Sequence, residues 1–440
     1  MPNLSPFQAV RYAAGAGDPQ TLLAPPYDVI DRELAADLRA RSAYNAVHLV
    51  LPEGPAPGRY QTAGRRFTEW LRSGVLVEKP RPAIFLYRQS FPVPGDPSRP
   101  ALHVERRSVF AALRLVPLGQ GGVLPHERTH RGPLEDRLAL TLACRAQLSS
   151  VFLLAADPQG ALLTALSEAE QQGEPLFEAR TDDGVAHELR RLEEGRLASD
   201  LCRRAGAAPL LIADGHHRYE TALAAARALG GSEPARSVLA CITSEADPGL
   251  LVFPTHRSLR IRPPGGSWNG ALSDCFELHP DSWRTDGTAG RDAATEAARA
   301  RGLLAVVRPD APALRLTPRA EALRRAAIGE PERRVASVLF DRLILNGILH
   351  TSADRAAREG FLSYHRDPER AIRSAGPDGA VFLLPPLPVA DVRAVAAAGG
   401  RLPPKTTYFA PKIPSGLLFR RLCDADPSQQ PSPGEGGRRR

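Results

Sequence analysis

Lysine is almost missing from this 440-residue chain: Lys79, Lys405 and Lys412 are the only three among 57 basic residues. Cysteine is also sparse. Cys144, Cys202, Cys241, Cys275 and Cys423 form no CxxC pair, and an odd, dispersed set argues against a disulfide framework or a zinc ribbon and for reduced thiols in a cytoplasmic protein. No apolar run reaches the ~18 residues that a membrane-spanning helix needs, and the opening MPNLSPFQAVRY has no apolar signal core. The expectation is a cytoplasmic protein without a membrane partner. Two nucleotide motifs are missing as well. There is no GxxxxGK[ST], no Gly-Lys pair at all and no GxGxxG between a strand and a helix, which argues against P-loop and dinucleotide-binding folds.

What is abundant is arginine, alanine and proline, the excess that a GC-rich coding bias produces. The net charge of +8 comes from arginines dispersed along the chain, with a basic block only at Arg438, Arg439 and Arg440. It gives little support for a nucleic-acid partner. The 37 glycines and 42 prolines predict many turns and extended connections.

Hydrophobic periodicity predicts an α/β chain. Residues 1–102 read as one region, with a helix from Asp31 to Arg41, a strand over Ala46 to Leu51, a helix over Arg59 to Ser73 and a strand over Ala83 to Phe91. Residues 103–262 follow, with strands over Arg107 to Leu118, Ser150 to Ala155, Pro209 to Ala213, Val238 to Thr243 and Leu250 to Phe253. Helices are expected over Leu134 to Gln147, Ala161 to Gln172, Gly184 to Gly206 and Tyr219 to Leu229. The Pro/Gly-rich Arg262 to Trp268 marks a boundary. Residues 263–423 then carry strands at Leu303 to Val307, Ala380 to Leu384 and Gly416 to Leu422, and helices at Arg334 to Leu349 and Val389 to Ala398. From Asp424 to Arg440 there is nothing apolar to bury, and a disordered tail is expected.

The sharpest local signal is Ala213-Asp214-Gly215-His216-His217-Arg218-Tyr219-Glu220. A buried strand leads into it and a helix leaves it, so the polar cluster sits where free backbone N–H groups and the helix dipole favour an anion. Gly215 permits a tight turn, and His216, His217 and Arg218 add donors suited to phosphate oxygens. Asp214 would repel phosphate and is expected to cap the helix or to hold magnesium.

Upstream, His126-Glu127-Arg128-Thr129-His130 matches the HExxH zinc-protease pattern. That chemistry needs both histidines on one continuous helix, and Pro125, Gly132 and Pro133 leave room for barely one turn. A phosphoryl-transfer site can instead use Glu127 as a base from a loop. Thr255-His256-Arg257 follows a strand-like run and offers a second His-Arg pair at the same sheet edge. Two of the three lysines fall within Pro403 to Lys412, and retention of an ammonium at Lys405 suggests a compact contact that a planar guanidinium cannot make.

APPYDVI (24–30), YNAVHLVLP (44–52), VLPHERT (123–129), ADGHHRYETAL (213–223), DPGLLVFPTHR (247–257) and LPPKTTYFAPKIPSGLLF (402–419) resemble, in order, the bacterial and archaeal family known as domain of unknown function 1015. A Pro-His-Glu loop followed by a strand and DGHHR also resembles the free-serine kinases built on the ParB/sulfiredoxin fold. That resemblance implies an α/β (α+β) fold whose ParB/sulfiredoxin-like core carries the DGHHR turn, with a helical insertion and further α/β regions at both ends. It implies a kinase using ATP or ADP with Mg2+ to phosphorylate a small hydroxylated metabolite, serine first. Glu127 would then be the base, with Asp214 and His217 beside it as catalytic groups. Gly215, His216 and Arg218 would hold the nucleotide phosphates, and His126, Arg128, Thr129, His256, Arg257 and Lys405 would face the acceptor. The alternative is a ParB-like nucleotide-binding regulatory or DNA-associated protein without metabolite chemistry. Sulfiredoxin activity is excluded, because its Gly-Cys-His-Arg turn stands here as Gly215-His216-His217-Arg218, without a thiol.

Overall fold

The two apolar runs that lead into the polar motifs, Val123–Leu124 and Leu210–Asp214, pair as parallel strands, with Leu210 opposite Val123 and Leu211 opposite Leu124. In the computed structural model, which describes residues 1–93, 102–129, 131–280 and 313–423 together with the backbone of 303–306, this pair is one edge of a mixed sheet. Among the described residues that sheet has nine strands. From the edge its order is Val123–Leu124, Leu210–Asp214, Val151–Ala155, Ser237–Ser244, His103–Arg114, Ala83–Pro92, Ala186–Glu193 and Glu174–Arg180, with Leu4–Ser5 against His103–Arg114. The long strands Ala83–Pro92 and His103–Arg114 pair antiparallel, with Pro92 opposite His103 and Phe85 opposite Phe110.

Leu210, Leu211 and Ile212 are all inaccessible to solvent, and each faces a different layer from its neighbour, as the strand period of two requires. Leu210 and Ile212 pack with Leu162, Leu166, Leu201 and Tyr219 of the helices Ala161–Ala169, Arg196–Ala205 and His216–Ala228. Leu211 and Ala213 face the other way, into a core shared with Leu402, Phe409 and Leu417 from the C-terminal segment. A strand buried on both faces reads as an unbroken apolar run, and each buried leucine contributes about 1.5–3 kcal/mol.

A second sheet holds Phe276–Pro280, Leu314–Pro318, Leu303–Val306, Ala380–Leu383, His256–Leu259 and Leu362–His365, in that order. Its strand neighbours are all antiparallel. Beside it run the helical turn Ala336–Leu339 and the π-helical stretch Phe340–Ile348.

Four expected elements need correction. Val47–Val50 is a helical turn rather than a strand, because Asn45 Oδ1 accepts the Val47 N–H at 2.9 Å and fixes the chain in a turn. The region from Gly184 to Gly206 is not one helix. Ala186–Glu193 is a strand paired residue by residue with Ala83–Ser90, and the helix begins only at Arg196. The helix expected from Tyr219 already starts at His216. The last strand shrinks to Arg420–Arg421. Val307 and the tail from Asp424 lie outside the described residues, and no helix among those described is long and apolar enough to cross a membrane.

Candidate active site

Because the strands Val123–Leu124 and Leu210–Asp214 are parallel neighbours, the Pro-His-Glu loop and the DGHHR turn leave the sheet at the same end. Gly215 takes φ +94° and caps the helix His216–Ala228. Glu127, Asp214, Gly215, His216, His217 and Arg218 line a cleft of about 70 Å³, and Tyr27 and Asp28 form its far wall. Tyr27 is held there by the guanidinium of Arg137, 4.2 Å from its ring centre.

His216 is buried. Its Nε2 accepts the backbone N–H of His126 at 3.2 Å and that of Glu127 at 3.4 Å, which puts the ring proton on Nδ1, 3.9 Å from Glu127 Oε2. Burial and the neighbouring His126, 4.6 Å away ring to ring, hold His216 well below the usual histidine pKa. It is a neutral strut between turn and loop. His126 is equally buried, its Nε2 3.0 Å from Thr407 Oγ1, and burial lowers its pKa to about 4.

Glu127 is the group whose chemistry stands out. Desolvation, then the charge of Asp214, push its pKa up to about 7, against the opposing pull of Lys405 and Lys412. A carboxylate poised near neutrality is what a general base requires. Asp214 behaves oppositely. Burial disfavours its charge, but Lys412 and Arg218 outweigh burial and hold the carboxyl far below the ordinary range. Lys412 Nζ lies 2.6 Å from Oδ1, and Arg218 donates to Oδ2 and to the Ser150 carbonyl. With both oxygens facing cations, Asp214 is not disposed as a magnesium ligand. Among the described residues no group of three His, Cys, Asp or Glu side chains is arranged to hold a metal.

The remaining expected residues divide. Thr129 Oγ1 donates to Glu220 Oε2 at 2.5 Å, tying the loop to the helix, and Arg128 is exposed. The segment His126–Thr129 is a loop, so the HExxH pattern has no helix to stand on, and His130 lies outside the described residues. His256 and Arg257 are not at the first sheet's edge. They sit buried in the second sheet, where His256 Nδ1 accepts the Leu384 N–H at 3.1 Å. Arg257 donates to the Lys405 carbonyl at 3.1 Å and to that of Pro404 at 3.3 Å. Lys405 is exposed, at φ +57°, with its charge acting on Glu127.

Lys412, Tyr27 and Asp28 escaped the sequence reading as site residues. The scarcity of lysine already marked the Pro403 to Lys412 segment, and Lys412 was the unread half of that signal.

Against solved structures the chain resembles a free serine kinase mutant in complex with ADP, at 16% identity and a TM-score of 0.35 over 70% of this chain and 92% of that one. A conserved hypothetical protein from Pyrococcus furiosus matches at 17% identity and a TM-score of 0.33 over 70% and 93%. SbnI from Staphylococcus aureus, truncated at its C-terminus, matches at 12% and 0.37 over 73% and 92%. A comparison with the curated proteins finds no match. The family model described as protein of unknown function (DUF1015) matches residues 4–322, well over half of the sequence, and the chain belongs to that family.

Proposed function

We propose that the chain is a nucleotide-dependent phosphotransferase acting on a small hydroxylated metabolite, with free serine the first candidate acceptor, on a ParB/sulfiredoxin-like core and in the cytoplasm. One observation carries the reading. Glu127, with a pKa near 7, shares a cleft with the N-terminus of the helix His216–Ala228, and His216 links the two. A proton acceptor beside an anion-binding helix end is the pairing that phosphoryl transfer to an alcohol needs.

Glu127 takes the proton of the acceptor hydroxyl. The hydroxyl oxygen forms the new bond to the terminal phosphorus, and the bridging P–O bond breaks with its electron pair departing on the shortened nucleotide. The first-turn N–H groups, His217 and Arg218 stabilise the charge on the transferred group. Magnesium enters only as part of the nucleotide substrate. Incubation of the purified chain with ATP or ADP and a panel of amino acids, followed by phosphorus NMR, tests the reading. Phosphoserine or another phosphorylated metabolite is expected, and absence of any product with either nucleotide sinks it.

A further inference from the structure

Lys412 reaches Asp214, on the lining of the cleft, from a part of the chain nearly two hundred residues beyond it, and a buried apparatus places it there. Arg106, on the strand His103–Arg114, is wholly buried. It donates to the carbonyls of Ala410 at 3.1 Å and Pro411 at 2.5 Å, and from Nε to Gln89 Oε1 at 3.1 Å. Gln89 Nε2 in turn donates to the Lys412 carbonyl at 3.3 Å. These hydrogen bonds of a buried cation thus go to three successive residues of one loop, directly or through Gln89. Stranding such a charge is costly unless its donors are satisfied, so sheet and loop geometry are coupled. The ammonium at the end of this loop also stands 4.9 Å from the centre of the Tyr408 ring.

The charge count points the same way. Lys412 and Arg218 both converge on Asp214, two cations on one carboxylate, beside the N-terminus of a 13-residue helix. That is one cation more than Asp214 alone neutralises, at a cleft whose lining also carries the carboxyls of Glu127 and Asp28. In a chain that writes arginine almost everywhere, the retained lysine is a compact charge with rotatable donors.

We propose that Lys412 is a phosphate-binding catalytic residue of this site, delivered by the C-terminal segment, and that Arg106 and Gln89 are its positioning residues. The ligand class, a nucleoside di- or triphosphate, rests on the phosphotransferase reading. During transfer Lys412 stabilises the oxygens of the migrating phosphoryl group while Glu127 receives the hydroxyl proton and the nucleotide leaves with the bridging electron pair. Lys412 lies beyond the 4–322 span of the family match, so on this assignment the catalytic unit extends past that span into the segment Leu402 to Phe419.

Calorimetric titration of the full chain with ADP and with ATP tests this without requiring turnover. Lys412→Met is expected to weaken nucleotide binding about tenfold or more, the loss of one charge-assisted contact, and Lys79→Met to leave it unchanged. Should Lys412→Met fail to fold because Asp214 Oδ1 loses its partner, Asp214→Asn is compared with the double variant Asp214→Asn/Lys412→Met, in which Arg218 keeps the Ser150 carbonyl as an acceptor. The same loss between those two is expected. Gln89→Leu should weaken binding several-fold with Lys412 present and not at all in the Lys412→Met background; equal losses in both backgrounds overturn the clamp. Equal nucleotide affinity with and without Lys412 overturns the assignment while leaving the phosphotransferase reading intact. If the wild-type chain binds nucleotide through Lys412 yet phosphorylates no acceptor, the phosphotransferase reading fails and the assignment stands. A wild-type chain that binds neither nucleotide overturns both.

Discussion

His216 Nε2 accepts the backbone N–H of His126 at 3.2 Å, so the first helical residue after Gly215 holds the Pro-His-Glu loop in place. Turn and loop are therefore one hydrogen-bonded unit, and the position of Glu127 depends on a side chain 89 residues away. His216→Ala leaves two backbone donors without their acceptor and a void beside His126. A loss of about 2–4 kcal/mol in urea unfolding is expected, with turnover falling further than nucleotide affinity because Glu127 is displaced. A variant that keeps both stability and turnover would contradict this role.

If Glu127 is the base of the proposed transfer, it sets the acid limit of the reaction. With its pKa pushed up to about 7, chiefly by desolvation, kcat/KM should fall below neutral pH with an apparent pKa near that value. Glu127→Gln should cost about 10²–10⁴ in turnover and remove the acid limb. The stability effect has a definite sign. A carboxyl whose folded pKa is raised is best tolerated protonated, so its contribution is fully present below the unfolded value and is lost as pH rises through about 7. Glu127→Gln should therefore melt like wild type at pH 4 and be more stable at pH 8, by about 1 kcal/mol after allowing for solvent screening. Equal melting temperatures at pH 8 would refute the shift.

The apolar run before Asp214 was legible because a strand buried on both faces has no alternation to hide. The two-residue strand Val123–Leu124 was not, since it lies in a glycine- and proline-rich stretch that reads as a loop. Its parallel pairing with Leu210–Asp214 brings the two motifs together. The short run at Val47 to Val50 was not legible either, since four to six apolar residues suit a strand or a buried helical turn equally; the Asn45 hydrogen bond decides it. Ala186–Glu193 misled for another reason. Its glutamates and arginines favour a helix locally, while the sheet buries His187, Leu189 and Arg191 at period two. Lys405 was read from its rarity, yet rarity could not say which lysine touches Asp214. That follows from Arg106, whose hydrogen bonds to residues 410 and 411 span some three hundred residues of sequence.

Gly215 is required by both conformation and space. Its φ of +94° is costly for any L side chain, and a Cβ there would lie 2.9 Å from Arg218 Nε and 3.0 Å from Cζ. Arg218 is the flexible partner, so it would yield first and loosen from Asp214. Gly215→Ala should cost about 1–2 kcal/mol and weaken nucleotide binding through Arg218. Chemical denaturation and calorimetry read the two effects separately. Unchanged affinity in a folded variant would show that Arg218 does not contact the ligand.

Lys405 acts on the same carboxyl from the rim. Its charge is among the influences that lower the pKa of Glu127, and its own position is fixed by Arg257, which grips the Lys405 and Pro404 carbonyls from the second sheet. Removing the charge by Lys405→Met should raise the pKa of Glu127, so the base ionises later and the acid limb of kcat/KM moves to higher pH. Lys405→Arg keeps the charge and should leave the limb in place. Arg257→Met should shift it in the same direction as Lys405→Met, because the loop is no longer held, even though Arg257 itself carries a positive charge away from the cleft rather than into it. At Lys79, exposed and 3.6 Å from Glu174, the change to Met should leave the profile untouched. A pH–rate profile measured on the four variants separates the cases, and a limb that stays fixed in Lys405→Met would mean that solvent screens its charge from Glu127.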